Sequence, residues 1–198
     1  MSSMTECIVR RIEDLPLQPW KNGGGFAREL ASGDGWRISL ACVERDGTFS
    51  VYDGVTRHSI VVSGTGLRLR DGGDTMELSS FEPVRYDGGR AWQATLMEGP
   101  AQVLNVMVDA RRWGVRLRAG AALDNPEAFT ALLVLPLGSG CRCSMPSAPS
   151  ATTTATTSVA PGEYLFRSCP EPLCGLSVRP DTAGESSART IVAALGPP

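Results

Sequence analysis

Histidine and lysine are almost absent from this chain: His58 is the only histidine and Lys21 the only lysine, against 18 arginines. A single histidine excludes a multi-histidine metal centre and gives no support to a Ser-His-Asp or Cys-His nucleophile. No metal and no other cofactor is expected. The formal net charge of −2 supplies no field to draw the chain to DNA, RNA or an anionic surface, so neither nucleic acid nor membrane is an expected partner. Long apolar runs are missing too. The longest, Ala128–Leu137, falls far short of the roughly 20 residues that span a bilayer. Met1–Glu13 has no apolar stretch followed by a small-residue cleavage site, so the expected location is the cytoplasm. Helical periodicity is scarce, with Asp124–Ala128 as the one short candidate.

Turn formers and strand formers are abundant. The chain has 22 glycines and 14 prolines, and Asp-Gly or Pro-Gly pairs recur at 46–47, 53–54, 71–73, 87–89 and 161–162. Between them lie runs such as Arg37–Val43, Ser59–Val62, Leu67–Arg70, Val103–Val108, Thr130–Leu135, Tyr164–Arg167 and Thr190–Ala194, which read as strands. Many short strands at regular spacing predict an all-β protein, a sandwich or barrel. A faint internal repeat runs through it. Ile60–Arg68 and Leu133–Arg142 each read as an apolar strand, a Gly-x-Gly turn and a second strand. Each is followed by a proline-containing turn and an aromatic strand, at Glu82–Tyr86 and at Pro161–Phe166. Two modules are therefore expected, residues 1–110 and 111–198. The second carries a Ser/Thr/Ala-rich loop or weak hairpin at 144–160 and serves as scaffold rather than site. The six cysteines include close pairs spaced C-x-C and C-x4-C, neither of which has the C-x2-C spacing of a structural zinc knuckle. They are expected to be free thiols.

Recognition chemistry concentrates in Pro19-Trp20-Lys21-Asn22-Gly23-Gly24-Gly25 and the Arg28-Glu29 that follows. Consecutive glycines let main chain approach a ligand closely, and Trp20, Lys21, Asn22 and Arg28 set an aromatic face, an ammonium, an amide and a guanidinium around them. The segment is no phosphate loop, because the lysine precedes the glycines and no helix follows.

This segment resembles the HutD family (HutD/Ves), and further pieces extend the resemblance in order. They are Trp36–Ala41, Asp46-Gly47-x-Phe49-Ser50, Gly54-x-x-Arg57, Gly64-x-Gly66 and Asn105-Val106-Met107. Ala27, Thr48 and Leu104 depart from residues common in the family at those places. The resemblance implies a cupin-like double barrel, a bicupin of two jelly-roll modules. It also implies a modulator of bacterial histidine utilisation that binds a small anionic intermediate of the urocanate or formylglutamate type.

The residues themselves suit an anionic ligand. Arg37 and Ser39 share a strand face, being two apart. Arg57 offers a fork that grips a carboxylate through both oxygens, and Lys21 adds a charge at the rim. Asn22, Gly23, Gly24 and Arg28 complete the loop side, while Trp20 or Trp36 offers a ring to an imidazole or acyl chain. Asn105 lies mid-strand among apolar residues, where a buried amide needs partners. For Trp36 and Phe49 core packing is the expectation, and His58 is expected to be a half-buried strand residue. The expected protein is a metal-free binding protein, with a homodimer as the assumed assembly. Two other readings stay open: a metal-independent enzyme with Lys21 as base or Schiff-base donor and Glu29 or Glu98 as acid, and a partner-binding protein using a sheet edge.

Overall fold

Alternating apolar and polar residues send successive side chains to opposite faces of extended backbone, and the Gly-rich turns reverse its direction. The result is strand after strand. The structure, a computed structural model, describes residues 6–20, 23–125, 127–149, 151–181 and 189–198, and among these there is no helix. The chain divides into two units: Leu15–Trp113 (unit I), and the described residues up to Asp14 with Gly114–Pro197 (unit II).

The chain opens with β1 (Glu6–Arg11), which belongs to unit II. Unit I follows with β2 (Gln18–Pro19), β3 (Gly25–Gly33), β4 (Trp36–Val43), β5 (Gly47–Thr48), β6 (Val55–Ser63), β7 (Gly66–Asp71), β8 (Asp74–Ser79), β9 (Val84–Asp87), β10 (Gln93–Leu96) and β11 (Ala101–Asp109). These form a six-stranded sheet, β2-β3-β4-β11-β6-β9, and a four-stranded sheet, β5-β10-β7-β8. Unit II continues with β12 (Gly114–Gly120), β13 (Leu123–Asn125), β14 (Phe129–Leu137), β15 (Cys141–Pro146), β16 (Thr154–Val159), β17 (Glu163–Leu173), β18 (Leu176–Pro180) and β19 (Arg189–Gly196). Its sheets run β1-β17-β14-β19-β12 and β13-β18-β15-β16.

The two units repeat one topology. The order β4-β11-β6-β9 in unit I corresponds to β12-β19-β14-β17 in unit II, and β5-β10-β7-β8 corresponds to β13-β18-β15-β16. The faint sequence repeat marks the turn where the chain leaves the larger sheet for the smaller one. In unit I this is β6 to β7, with Gly64 (φ 90°) and Gly66 (φ 136°) in conformations that side chains rarely adopt. In unit II it is β14 to β15, with Gly138 at φ 84°.

Each unit is closed by a core shared between its sheets. In unit I, Val43, Val61 and Val103 of the larger sheet pack with Leu67, Leu69, Leu78 and Ala94 of the smaller one, around Phe49, Tyr86 and Trp92. In unit II, Phe129, Leu132, Val134, Leu165 and Val192 pack with Met145 and Val178. Cys141 and Cys143 join that core from one face of β15, their Sγ atoms 3.9 Å apart. All six cysteines are free thiols.

Four details differ from the sequence reading. No helix forms among the described residues of Asp124–Ala128. Leu123–Asn125 is a strand paired with Leu176–Val178, because the ladder outweighs the weak local preference of so short a segment. The first strand does not join residues 1–110, since β1 pairs along β17 from Glu6↔Ser168 to Arg11↔Glu163. The segment 144–160 contains much of a regular hairpin, β15 to β16, in register from Cys141↔Val159 to Pro146↔Thr154. Finally, the ladders of each unit remain in two separate sheets, and no closed barrel is found among the described residues.

Candidate functional site

The six-stranded sheet changes character along one face. Because side chains alternate, Arg37, Ser39, Ala41 and Val43 share a face of β4 and Arg57, Ser59 and Val61 a face of β6. Ala101, Val103, Asn105 and Met107 share the matching face of β11. The register lines these up: Ala41, Val103 and Val61 in one row, Ser39, Asn105 and Ser59 in the next, and Arg37, Met107 and Arg57 in the third. The apolar end sinks into the core described above. The polar end opens into a cavity of about 770 Å³, within the range of roughly 300–1,000 Å³ usual for small-molecule clefts.

The segment around β5 forms the opposite wall, contributing Asp46, Phe49, Ser50 and Tyr52. It is pinned by backbone and side-chain hydrogen bonds. Phe49 N donates to Trp92 O at 2.8 Å, Tyr52 N to Gly88 O at 2.8 Å, and Leu96 N to the Asp46 carboxylate at 2.9 Å.

Arg57 links the two walls. Its Nη2 donates to Ser50 O at 2.5 Å, and its guanidinium lies 5.6 Å from the Phe49 ring centre and 5.3 Å from that of Tyr52. It is only 7% exposed, yet no carboxylate pairs with it among the described residues. A buried cation costs several kcal/mol in lost hydration unless an anion or dipoles compensate. Here two ring faces and a carbonyl compensate in part. Arg37, across Met107 from Arg57, has Nε 3.0 Å from Glu29, but its N–H is not aimed at that oxygen and makes no hydrogen bond. Glu29 is also held by Ser32, whose hydroxyl donates to it at 2.6 Å.

A chain of buried polar groups runs along the same face of the sheet, leading from the cavity lining into the core. Tyr86 stands opposite Arg57 in the β6–β9 register, and its hydroxyl is 2.9 Å from Ser59 Oγ. Ser59 donates to Asn105 Oδ1 at 2.6 Å. Burial pushes the Tyr86 phenol up from its ordinary pKa, with Arg57 and Ser59 pulling the other way, so it stays protonated at neutral pH.

Of the residues singled out in the sequence, the cavity brings together Trp20, Arg37, Ser39, Arg57 and Asn105. Trp20 enters edge-on to Phe49, with ring centres 6.1 Å apart. Lys21 and Asn22 lie outside the described residues. Gly23, Gly24 and Arg28 are not part of the cavity wall. The glycines make a tight turn instead: Gly23 N donates to Trp20 O at 3.0 Å, Trp20 N to Gly25 O at 2.9 Å, and Gly24 O accepts from Glu44 N at 3.0 Å. Gly23 sits at φ 69°, and a Cβ on Gly25 would lie 2.0 Å from Cys42 O. Arg28 faces away from Ala27, a cavity residue, and its guanidinium donates to Leu15 O. Trp36 is half-buried, edge-on to Trp113 at 6.3 Å. Phe49 is both core and wall, being 6% exposed in the apolar cluster and facing the cavity.

Sequence reasoning missed Asp46, Ser50 and Tyr52 as wall residues, and Ser59 and Tyr86 as their support. Asp46 and Phe49-Ser50 were visible as a motif, but nothing local says that a loop will fold back over a sheet. The described residues contain no group of three or more His, Cys, Asp or Glu side chains that could hold a metal.

The fold and this site define an all-β protein that holds a polar cup between two sheets, walled by arginine, amide and aromatic groups. The chain belongs to the HutD family, whose model matches residues 12–153. It is 33% identical over 123 residues to an uncharacterised 21.2 kDa protein in the hutC 3′ region of Pseudomonas putida, a match covering 58% of this chain and 65% of that one. This chain thus spans somewhat less than two thirds of that relative. Among solved structures it resembles a conserved protein of unknown function from Pseudomonas aeruginosa PAO1, at 27% identity and TM-score 0.81, covering 96% of this chain and 98% of the other. HutD from Pseudomonas fluorescens SBW25 superposes with TM-score 0.78 at 22% identity, covering 98% and 100%. A tryptophan-to-phenylalanine variant of Bacillus subtilis oxalate decarboxylase shares the fold alone, at 8% identity and TM-score 0.62 over 98% of this chain and 77% of that one. The fold is cupin-like.

Proposed function

We propose that this protein is a cytoplasmic binding protein that modulates histidine utilisation by taking a small carboxylate, of the urocanate or formylglutamate type, into the cup of unit I. The two units are read as the two modules of a bicupin, of which unit I carries the site. The observation that supports binding most strongly is Arg57. It is a cation buried on a cavity wall with no carboxylate partner among the described residues. An anionic ligand would supply the missing charge, and Arg57 would meet it through two parallel hydrogen bonds. Arg37 would add a second charge, and the faces of Tyr52 and Trp20 would cover an imidazole or acyl chain. The location of the Pseudomonas putida relative in the hutC 3′ region supports the link to histidine utilisation.

Thermal shift against urocanate, N-formylglutamate, glutamate and histidine tests the reading. A ligand that binds only the native state raises the midpoint, by about 2.7 kcal/mol of stability at a hundredfold excess over Kd. No shift with any of these at millimolar concentration removes the proposal.

A further inference from the structure

We propose that Tyr86 and Ser59, which stand behind the cup and do not line it, fix the direction of the Asn105 amide and thereby make the site select a carboxylate over the corresponding carboxamide. The inference rests on the carboxylate-binding reading of the same cup.

The argument begins at Arg57, because a guanidinium has five N–H donors and no acceptor. It is the strand partner of Tyr86 in the β6–β9 register, so the cation beside the phenol favours its lone pairs turned towards the guanidinium and its hydrogen turned away. Among the described residues, the acceptor facing that hydrogen is Ser59 Oγ, at 2.9 Å. Ser59, with its own oxygen accepting, then has one hydrogen to give, and Asn105 is its partner at 2.6 Å. That partner must be the amide oxygen, since the amide nitrogen carries only donors towards it. The Asn105 NH2 is left facing away from Ser59, near Val103 O at 3.5 Å, on a residue that lines the cup.

Every link is buried: Ser59 is 0%, Tyr86 5% and Asn105 7% exposed. Ser59 and Tyr86 do not line the cup, so the order at their end is kept from water, and each bond polarises the next. A reversed amide would break the chain at a buried hydroxyl, which costs about 1–3 kcal/mol. One Nδ2 hydrogen is directed at Val103 O, and the second is the donor that Asn105 has for the cup, beside the guanidinium groups of Arg57 and Arg37. A carboxylate oxygen satisfies them, whereas the NH2 of a carboxamide meets donor with donor. Charge alone, through Arg57, would also prefer the acid. The distinctive prediction is that part of the preference depends on two residues that never touch the ligand.

Two measurements test this. In the free protein, 15N-edited NMR should show the Asn105 Nδ2 protons close to the Leu104 α-proton, which flanks Val103 O, and far from the Ser59 β-protons; the opposite pattern overturns the proposal. Calorimetric binding then compares urocanate with its primary amide in the wild type, Tyr86→Phe and Ser59→Ala. Wild type should prefer the acid strongly. Both variants should lose about tenfold of that acid-to-amide ratio while keeping a preference for the acid. Tyr86→Phe retains the buried ring and covers the case in which Ser59→Ala fails to fold. A ratio unchanged in a folded variant overturns the inference but leaves carboxylate binding intact. A wild type that binds neither compound overturns both.

Discussion

Arg57 has no carboxylate partner among the described residues, and its removal should separate binding from folding. Arg57→Ala is expected to weaken binding of urocanate or N-formylglutamate by about a hundredfold, near 2.7 kcal/mol, in a titration calorimeter. Arg57→Lys should recover only a fraction, because a point charge on a flexible stem replaces a fork stacked on two rings. Equal affinity in all three proteins would place the ligand elsewhere. His58 makes a different residue-scale prediction. It lies on the other face of β6, and burial, with Arg85 alongside, lowers its pKa from 6.5 to about 4. The unfolded chain takes up that proton near the ordinary value and the folded protein does not. The contribution of neutral His58 is therefore whole above about pH 6.5 and drains away as the pH falls towards about 4. Urea midpoints at about pH 7.5 and about pH 5 should fall further apart in wild type than in His58→Gln. Identical drops would mean that carboxylates alone cause the acid sensitivity.

At the scale of elements, the triple glycine is a hinge of construction. Gly25 must pass Cys42 O at a distance that no Cβ allows, so Gly25→Ala should displace β3 from β4 and destabilise unit I by more than about 3 kcal/mol. Gly73→Ala has open space and an ordinary φ, and should change the urea midpoint little. Ligand affinity of the folded fraction of Gly25→Ala should fall as well, because Trp20 is held by that turn. The first strand offers a second case. β1 pairs with β17 over six residues, so deleting it leaves the N–H and C=O groups of β17 without partners along that edge. The truncated protein is expected to unfold earlier and to aggregate on sizing chromatography. A monomeric, equally stable truncation would show that the edge is dispensable.

For the whole molecule, much was legible in the chain because strand periodicity is a local property. The alternation in Arg37–Val43 and Val103–Val108, the Asp-Gly turns and the paired Gly-x-Gly repeat follow from neighbours in sequence, and they determined an all-β chain with two related halves. The same alternation put Arg37 and Ser39 on one face. Membership of the HutD family was equally legible, in motifs that need no coordinates. Tertiary structure decided the rest, because those facts depend on residues far apart in the chain. The register sets Asn105 between Ser39 and Ser59. The fold brings the Asp46–Tyr52 segment over the sheet, and β9 brings Tyr86 to Arg57. Glycines that read as a ligand-hugging loop became a turn once Gly25 met Cys42. The sequence by itself determined which chemistry was present; only packing decided which groups faced a common cavity and which polar groups met behind it. Which groups meet across a register is the part that no local pattern encodes.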